Sequence, residues 1–142
     1  MKRLALFAVL LFGLASLSLF AAEAEPASER LSLPEEVALD GYYKAEGKLP
    51  GDNQYDGVAC VVKRGKVYRL TWTFETGAAG GVGIREGDTL FVASQSGQQL
   101  VCCRYKISKD KEGKPYLSGR WAAHGGPLDT FEETLTFIRS SE

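Results

Sequence analysis

From Gly41 onward the apolar side chains fall at every second position, in short runs separated by glycine-containing turns. A strand presents alternate residues to opposite faces, so this period builds sheets with one buried side and cannot build an amphipathic helix. Tyr55–Lys63 and Val67–Phe74 flank Arg64-Gly65-Lys66, and Gly81–Arg85 and Thr89–Ser94 flank Glu86-Gly87-Asp88. Both read as hairpins with glycine in the turn. Gly41–Gly47, Gln99–Ser108, Tyr116–Ala122 and Phe131–Arg139 complete about eight short strands. The expected class is all-β, a small antiparallel up-and-down barrel of about eight strands, because closure removes exposed strand edges. A two-layer sandwich or a partly open barrel is the alternative.

Counting by twos puts Tyr43, Ala45, Tyr55, Gly57, Ala59 and Val61 on the buried face. Tyr68, Leu70, Trp72, Phe74, Leu90 and Val92 continue that column. Val101, Cys103, Tyr105, Ile107, Leu117, Gly119, Trp121, Leu135 and Phe137 complete it. Glu133 shares the column, which makes it a candidate buried carboxylate bonded to a tyrosine hydroxyl. Lys44, Arg69, Thr71, Arg104, Lys106 and Arg120 face the other way, as a one-sided sheet requires. Val58, Cys60, Val62 and Phe91 are apolar in the polar column, so they mark a second buried surface, a bulge or a local shift of register.

The N-terminus carries a different signal. Lys2-Arg3 precedes an apolar run from Leu4 to Phe20, and Ala22-Glu23-Ala24 is a small-x-small cleavage site. Residues 1–24 therefore read as a signal peptide, and the product is expected to be secreted or periplasmic. Residues 25–40, with two prolines and five acidic residues, read as a mobile acidic leader holding at most one helical turn at Pro34–Val37. Residues 41–139 form the single barrel domain. Cleavage removes Lys2, Arg3 and Glu23 from 17 basic and 18 acidic residues. The near-neutral remainder offers no reason to expect nucleic acid, whose binding rests on neutralised phosphates. No second apolar stretch approaches the ~20 residues of a membrane span, so no transmembrane segment is expected after cleavage.

The chemistry-bearing residues are few. The single histidine, His124, lies in the glycine-rich stretch Ala122–Pro127 without a nucleophile elbow elsewhere in the chain. Asp129, Glu132 and Glu133 supply carboxylates, but glycosidase chemistry needs two that face each other across a cleft. Asp52-Asn53-Gln54-Tyr55-Asp56-Gly57 resembles the start of a calcium loop, yet its twelfth position is Lys63 where a bidentate Glu belongs. Cys60, Cys102 and Cys103 are an odd number, and they sit on strands that a meander does not make neighbours. Free, mostly buried thiols are expected. No catalytic residue, metal or cofactor is assigned, and the chain reads as non-enzymatic.

Glycines spaced against aromatics are the most individual feature: Gly41-x-Tyr43, Tyr55-x-Gly57, Tyr68-x-x-x-Trp72, Gly81-x-Gly83 and Leu117-x-Gly119-x-Trp121. Glycine beside a same-face ring leaves that ring room to lie across the strand. This series, ending in Glu132-Glu133-Thr134-Leu135, resembles a group of small secreted bacterial β-barrel proteins, some labelled fibronectin-binding. It is also generically similar to avidin-like and lipocalin-like barrels. The first resemblance implies an interaction module whose partner is a matrix-type protein. On this reading the loops Gly47–Gln54, Thr76–Gly80 and Ala123–Asp129 at one barrel end meet the partner. The second implies a carrier of a small apolar ligand, with Tyr43, Tyr68, Trp72, Tyr105 and Trp121 as binding residues. A barrel of eight strands is just wide enough for its own side chains to fill, which favours the surface module. An open interior would favour the carrier.

Export has a direct test. N-terminal sequencing of the mature protein is expected to find Glu25 or a start within a few residues of it. A mature chain beginning at Met1 in the cytoplasm would contradict export.

Overall fold

A computed structural model describes residues 36–141. The expected signal peptide, most of the expected leader, and Pro34 and Glu35 of the suggested helical turn lie outside the described residues. Eight strands follow in order: β1 (Gly41–Lys48), β2 (Gln54–Arg64), β3 (Val67–Phe74), β4 (Gly77–Glu86), β5 (Thr89–Ser96), β6 (Gln99–Lys109), β7 (Pro115–Ala123) and β8 (Phe131–Arg139). Each pairs antiparallel with the next, and β8 returns to β1 to close the barrel. The all-β up-and-down barrel is therefore observed, and the sandwich and partly open alternatives are not. Among the described residues no helix is long and apolar enough to cross a membrane.

The inward column is the one that period-two counting gives. Tyr43, Ala45, Ala59, Val61, Tyr68, Leu70, Trp72, Leu90, Tyr105, Leu117 and Leu135 are buried. Of the apolar residues in the outward column, Val58 and Phe91 are exposed, and Cys60 and Val62 are partly so. β2 keeps unbroken register against β3 through all four positions from Val58 to Val61, so no bulge lies there. A register shift falls instead between Tyr42 and Tyr43, where β1 meets β8.

The glycine–aromatic pattern is explained by cross-strand pairing. Gly119 lies opposite Tyr105 and Gly57 opposite Phe74. A Cβ on Gly119 would stand 2.6 Å from Cδ1 of Tyr105, and one on Gly57 would stand 2.6 Å from Cδ1 of Phe74. Each ring folds over the glycine of its neighbouring strand. That packing fills the interior while the wall stays thin enough to curve.

Two expectations need correction. β4 begins at Gly77, four residues before the expected Gly81, so the proposed loop Thr76–Gly80 is strand apart from its first residue. Gly77-Ala78-Ala79-Gly80 has little intrinsic strand propensity. Pairing of Gly77–Gly80 with Thr71–Phe74 holds it extended nonetheless. The leader reads as mobile through Asp40, but within its last five residues Val37 and Leu39 pack against the core. Leu39 is wholly buried. Its carbonyl accepts a hydrogen bond from the Tyr43 hydroxyl at 2.8 Å, and Arg85 Nη1 donates to the Val37 carbonyl at 2.5 Å. Asp40 Oδ1 accepts the Lys63 backbone N–H at 2.9 Å. An apolar side chain is needed to seal this end of the barrel, and Leu39 supplies it. Glu36 and Val37 are not helical.

The two barrel ends therefore differ. The β2–β3, β4–β5 and β6–β7 turns gather at the end sealed by residues 36–40. The connections 49–53, 75–76, 97–98 and 124–130 gather at the other.

Candidate functional site

The open end holds a cup of about 220 Å³. Its walls are unequal. Tyr55 of β2, Trp72 and Phe74 of β3 and Trp121 of β7 supply rings, whereas Ala79 of β4 and Ser94 and Ser96 of β5 supply only small side chains. The space exists because β4 and β5 place nothing large opposite the rings. Val101 and Cys103 of β6, together with Leu49, Thr76 and Gln99, add to the lining.

The rings lock one another in place. Tyr55 meets Phe74 edge-on, with centroids 5.4 Å apart and planes at 90°, and meets Trp121 at 6.5 Å and 65°. Trp121 also leans on Phe131 at 4.9 Å. Edge-to-face and tilted pairs of this kind are worth ~0.5–1.5 kcal/mol beyond their burial, so the ring wall is pre-formed. Trp121 Nε1 is buried and has no acceptor among the described residues.

Glu133 of β8 forms the floor and is 5% exposed. Its Oε2 accepts the Tyr55 hydroxyl at 2.5 Å. Its Oε1 accepts the Tyr105 hydroxyl and, at 3.2 Å, Trp72 Nε1. Burial pushes its carboxyl above the ordinary value of 4.5, and the hydrogen bonds from Tyr105, Tyr55 and Trp72 pull the other way. Burial, followed by the neighbouring Glu133 charge, pushes both the Tyr55 and Tyr105 hydroxyls upward. Both tyrosines accordingly remain protonated donors at neutral pH. Burial likewise pushes the Cys103 thiol up to about 12, so it is not a nucleophile in this setting.

Of the residues expected to bind a carried ligand, Trp72 and Trp121 line the cup. Tyr105 sits below it as a donor to Glu133. Tyr43 and Tyr68 belong to the sealed end: Tyr43 bonds the Leu39 carbonyl, and the Tyr68 hydroxyl lies 3.5 Å from Glu36. Tyr55 and Phe74 were not among the binding residues singled out, although both stand in the inward column. Tyr55 near the start of β2 and Phe74 at the end of β3 reach the same end of the barrel as Trp121 near the end of β7.

The remaining candidates are scattered. Glu132 points outward and pairs with Lys48 at 2.9 Å, so it faces away from Glu133 and the two do not oppose each other across a cleft. Asp129 caps the Thr130 backbone N–H at 2.7 Å. His124 is exposed in the β7–β8 connection. The segment from Asp52 runs straight into β2, and Asp52 itself adopts φ +60° in the turn. The three cysteines are free, as expected: Cys103 is buried, Cys60 is partly buried, and Cys102, which points to the opposite face from Cys103 on the same strand, is exposed.

The floor generates a stability prediction. Glu133→Leu would strand the buried Tyr105 and Trp72 donors and is expected to destabilise the fold by ~2 kcal/mol or more in denaturant unfolding, at ~1–3 kcal/mol per stranded donor. A carboxyl whose folded pKa is raised holds its proton more tightly in the folded state, so its contribution is most favourable at low pH and declines as pH rises through the folded value. The stability of the wild type relative to Glu133→Gln is therefore expected to fall as pH rises from about 4.5 toward neutrality. A flat or rising difference would contradict this.

No protein-family model matches this chain, and no curated protein matches it. Among solved structures it is similar to a redesigned beta barrel, with a TM-score of 0.60 and 14% sequence identity over 71% of this chain and 92% of that one. At that identity the likeness is one of fold.

Proposed function

We propose that the barrel is an exported, non-enzymatic binding module that seats a small ligand in its open half. One observation carries this reading: about 220 Å³ of space between the Tyr55–Trp72–Phe74–Trp121 ring wall and the small side chains of β4 and β5. A barrel of eight strands can fill itself, and the sealed half does, with Leu39, Tyr43, Leu70, Leu90, Leu117 and Leu135. The open half does not. Sites for drug-sized ligands run to ~300–1,000 Å³, so the occupant is smaller than these. Rings on one side and polar groups at the floor and rim suit a compact molecule with an apolar body and one polar end.

A second reading, recognition of a protein partner by the connections around the mouth, is supported by Leu128. That side chain is wholly exposed in the 124–130 connection, beside a cup whose rim includes the partly exposed Leu49.

The cup reading is tested with a mixed set of neutral, anionic and cationic fragments, followed through the indole and ring resonances of Trp72, Trp121 and Tyr55. Binding fragments are expected to perturb these resonances together and to compete for one site. Ala79→Leu, which pushes a larger side chain into the space, should abolish that binding without unfolding the barrel. If no fragment moves these resonances, or if Ala79→Leu leaves binding unchanged, the cup is not a ligand site and recognition passes to the mouth connections.

A further inference from the structure

We infer that the cup selects a small organic cation, an alkylammonium group caged by Tyr55, Trp72 and Trp121 and countered by Glu133. This rests on the cup being a ligand site. It adds the charge of the ligand, which ring-lined space alone leaves open.

The charge inventory of the lining favours a cation. Glu133 is its one carboxylate, and no lysine, arginine or histidine is among the lining residues. Among the described residues no basic group forms an ion pair with Glu133. All three of its partners are neutral donors. A buried carboxylate without a counter-charge is costly, and a cation arriving within the same low-dielectric space would offset that cost. An anion arriving there would meet the same charge as repulsion.

Hydrogen-bond capacity points the same way. An ionised carboxylate offers about four lone-pair positions, and Tyr55, Tyr105 and Trp72 occupy three. Oε1 takes two donors and Oε2 takes one, from the Tyr55 side of the cup. The fourth position, on Oε2, is left for a further donor or for a cation at contact.

The walls favour a cation as well. Aromatic faces carry negative quadrupole charge and attract cations, most strongly for Trp and then Tyr and Phe. Trp72, Trp121, Tyr55 and Phe74 meet around one small space. An aromatic cage closed by a carboxylate is a general solution for quaternary and alkylated ammonium groups, which are too weakly hydrated to prefer water over rings. The volume fits: about 220 Å³ accommodates a compact ammonium head, since one water takes ~30 Å³ of liquid.

The test uses tetramethylammonium and choline as probes, with 3,3-dimethylbutan-1-ol as the neutral analogue of choline, titrated against the full domain by calorimetry and Trp fluorescence. Both cations are expected to bind the wild type more tightly than the alcohol by at least about tenfold, the scale of one desolvated charge contact. In Glu133→Gln the preference for cation over alcohol should collapse, with unchanged Phe74 and Trp121 ring resonances in the ligand-free variant showing that the cup has kept its shape. Equal binding of cation and alcohol by the wild type would overturn the cation inference and leave the cup a ligand site. Failure of every cation, with neutral or anionic fragments still perturbing Trp72 and Trp121, would overturn it in the same way. Failure of all fragments would remove the ligand site itself and the inference with it. The ammonium can be a free solute or the head group of a lipid. Flotation with phosphatidylcholine vesicles separates these sources: free choline bound without vesicle binding assigns a solute, and vesicle binding lost in Glu133→Gln assigns a membrane surface, with cation selection holding in both.

Discussion

Glu133 sits where an eight-stranded barrel would ordinarily place another leucine, and the interior is arranged around that substitution. A carboxylate in this position is tolerable only with donors on its oxygens, because an unsatisfied buried charge costs several kcal/mol. Three rings from three strands meet that need: Tyr55 from β2, Trp72 from β3 and Tyr105 from β6. Each must reach the barrel axis, so each commits its strand to a fixed register. The carboxylate and its donors form a polar plane across the barrel, apolar and filled on one side, ring-lined and open on the other.

What lies below the plane explains how the open side can exist. The sealed end packs Leu39, Tyr43, Leu70, Leu90, Leu117 and Leu135 out of solvent, and residues 36–40 close it through Tyr43, Lys63 and Arg85. Burial of ~1.5–3 kcal/mol per large side chain there provides enough stability for the opposite half to leave space unfilled. The glycine–ring pairs serve both halves. Gly119 receives Tyr105 at the floor, and Gly57 receives Phe74 in the wall, so the rings that hold the carboxylate and line the cup rest on strands without side chains beneath them.

Much of this was legible in the sequence. Period-two alternation placed nearly every inward residue, since a strand's face is fixed by counting and a one-residue slip would invert it. Glu133 stood out as a polar residue in an apolar column, and a tyrosine partner could be anticipated because the column is rich in rings. Height along the barrel was not legible. Tyr43, Tyr68, Trp72, Tyr105 and Trp121 share a face, yet the stagger of the strands sends the first two to the sealed end and both tryptophans to the cup. That stagger is a property of barrel closure, and no local pattern encodes it. Leu39 was missed for a related reason: a lone apolar residue in an acidic, proline-containing stretch has no periodicity to mark it, and only the closed barrel creates the hole it fills. The early start of β4 was hidden by alanines and glycines whose weak strand preference is overridden by pairing with β3.

A barrel divided at Glu133 into a sealed core and an accessible cup has one tryptophan tied to the floor of that cup and one in its wall. Trp72 gives its indole N–H to the buried carboxylate, whereas Trp121 lines the cup and its N–H has no acceptor among the described residues. Hydrogen exchange of the two indole N–H resonances, followed by NMR without ligand, reads the division directly. Trp72 is expected to exchange only through global unfolding, with Trp121 exchanging faster through local opening at the mouth. Equally slow exchange at both sites would mean a barrel filled from end to end. Equally fast exchange would mean that the floor is wet and that Glu133 does not divide the interior.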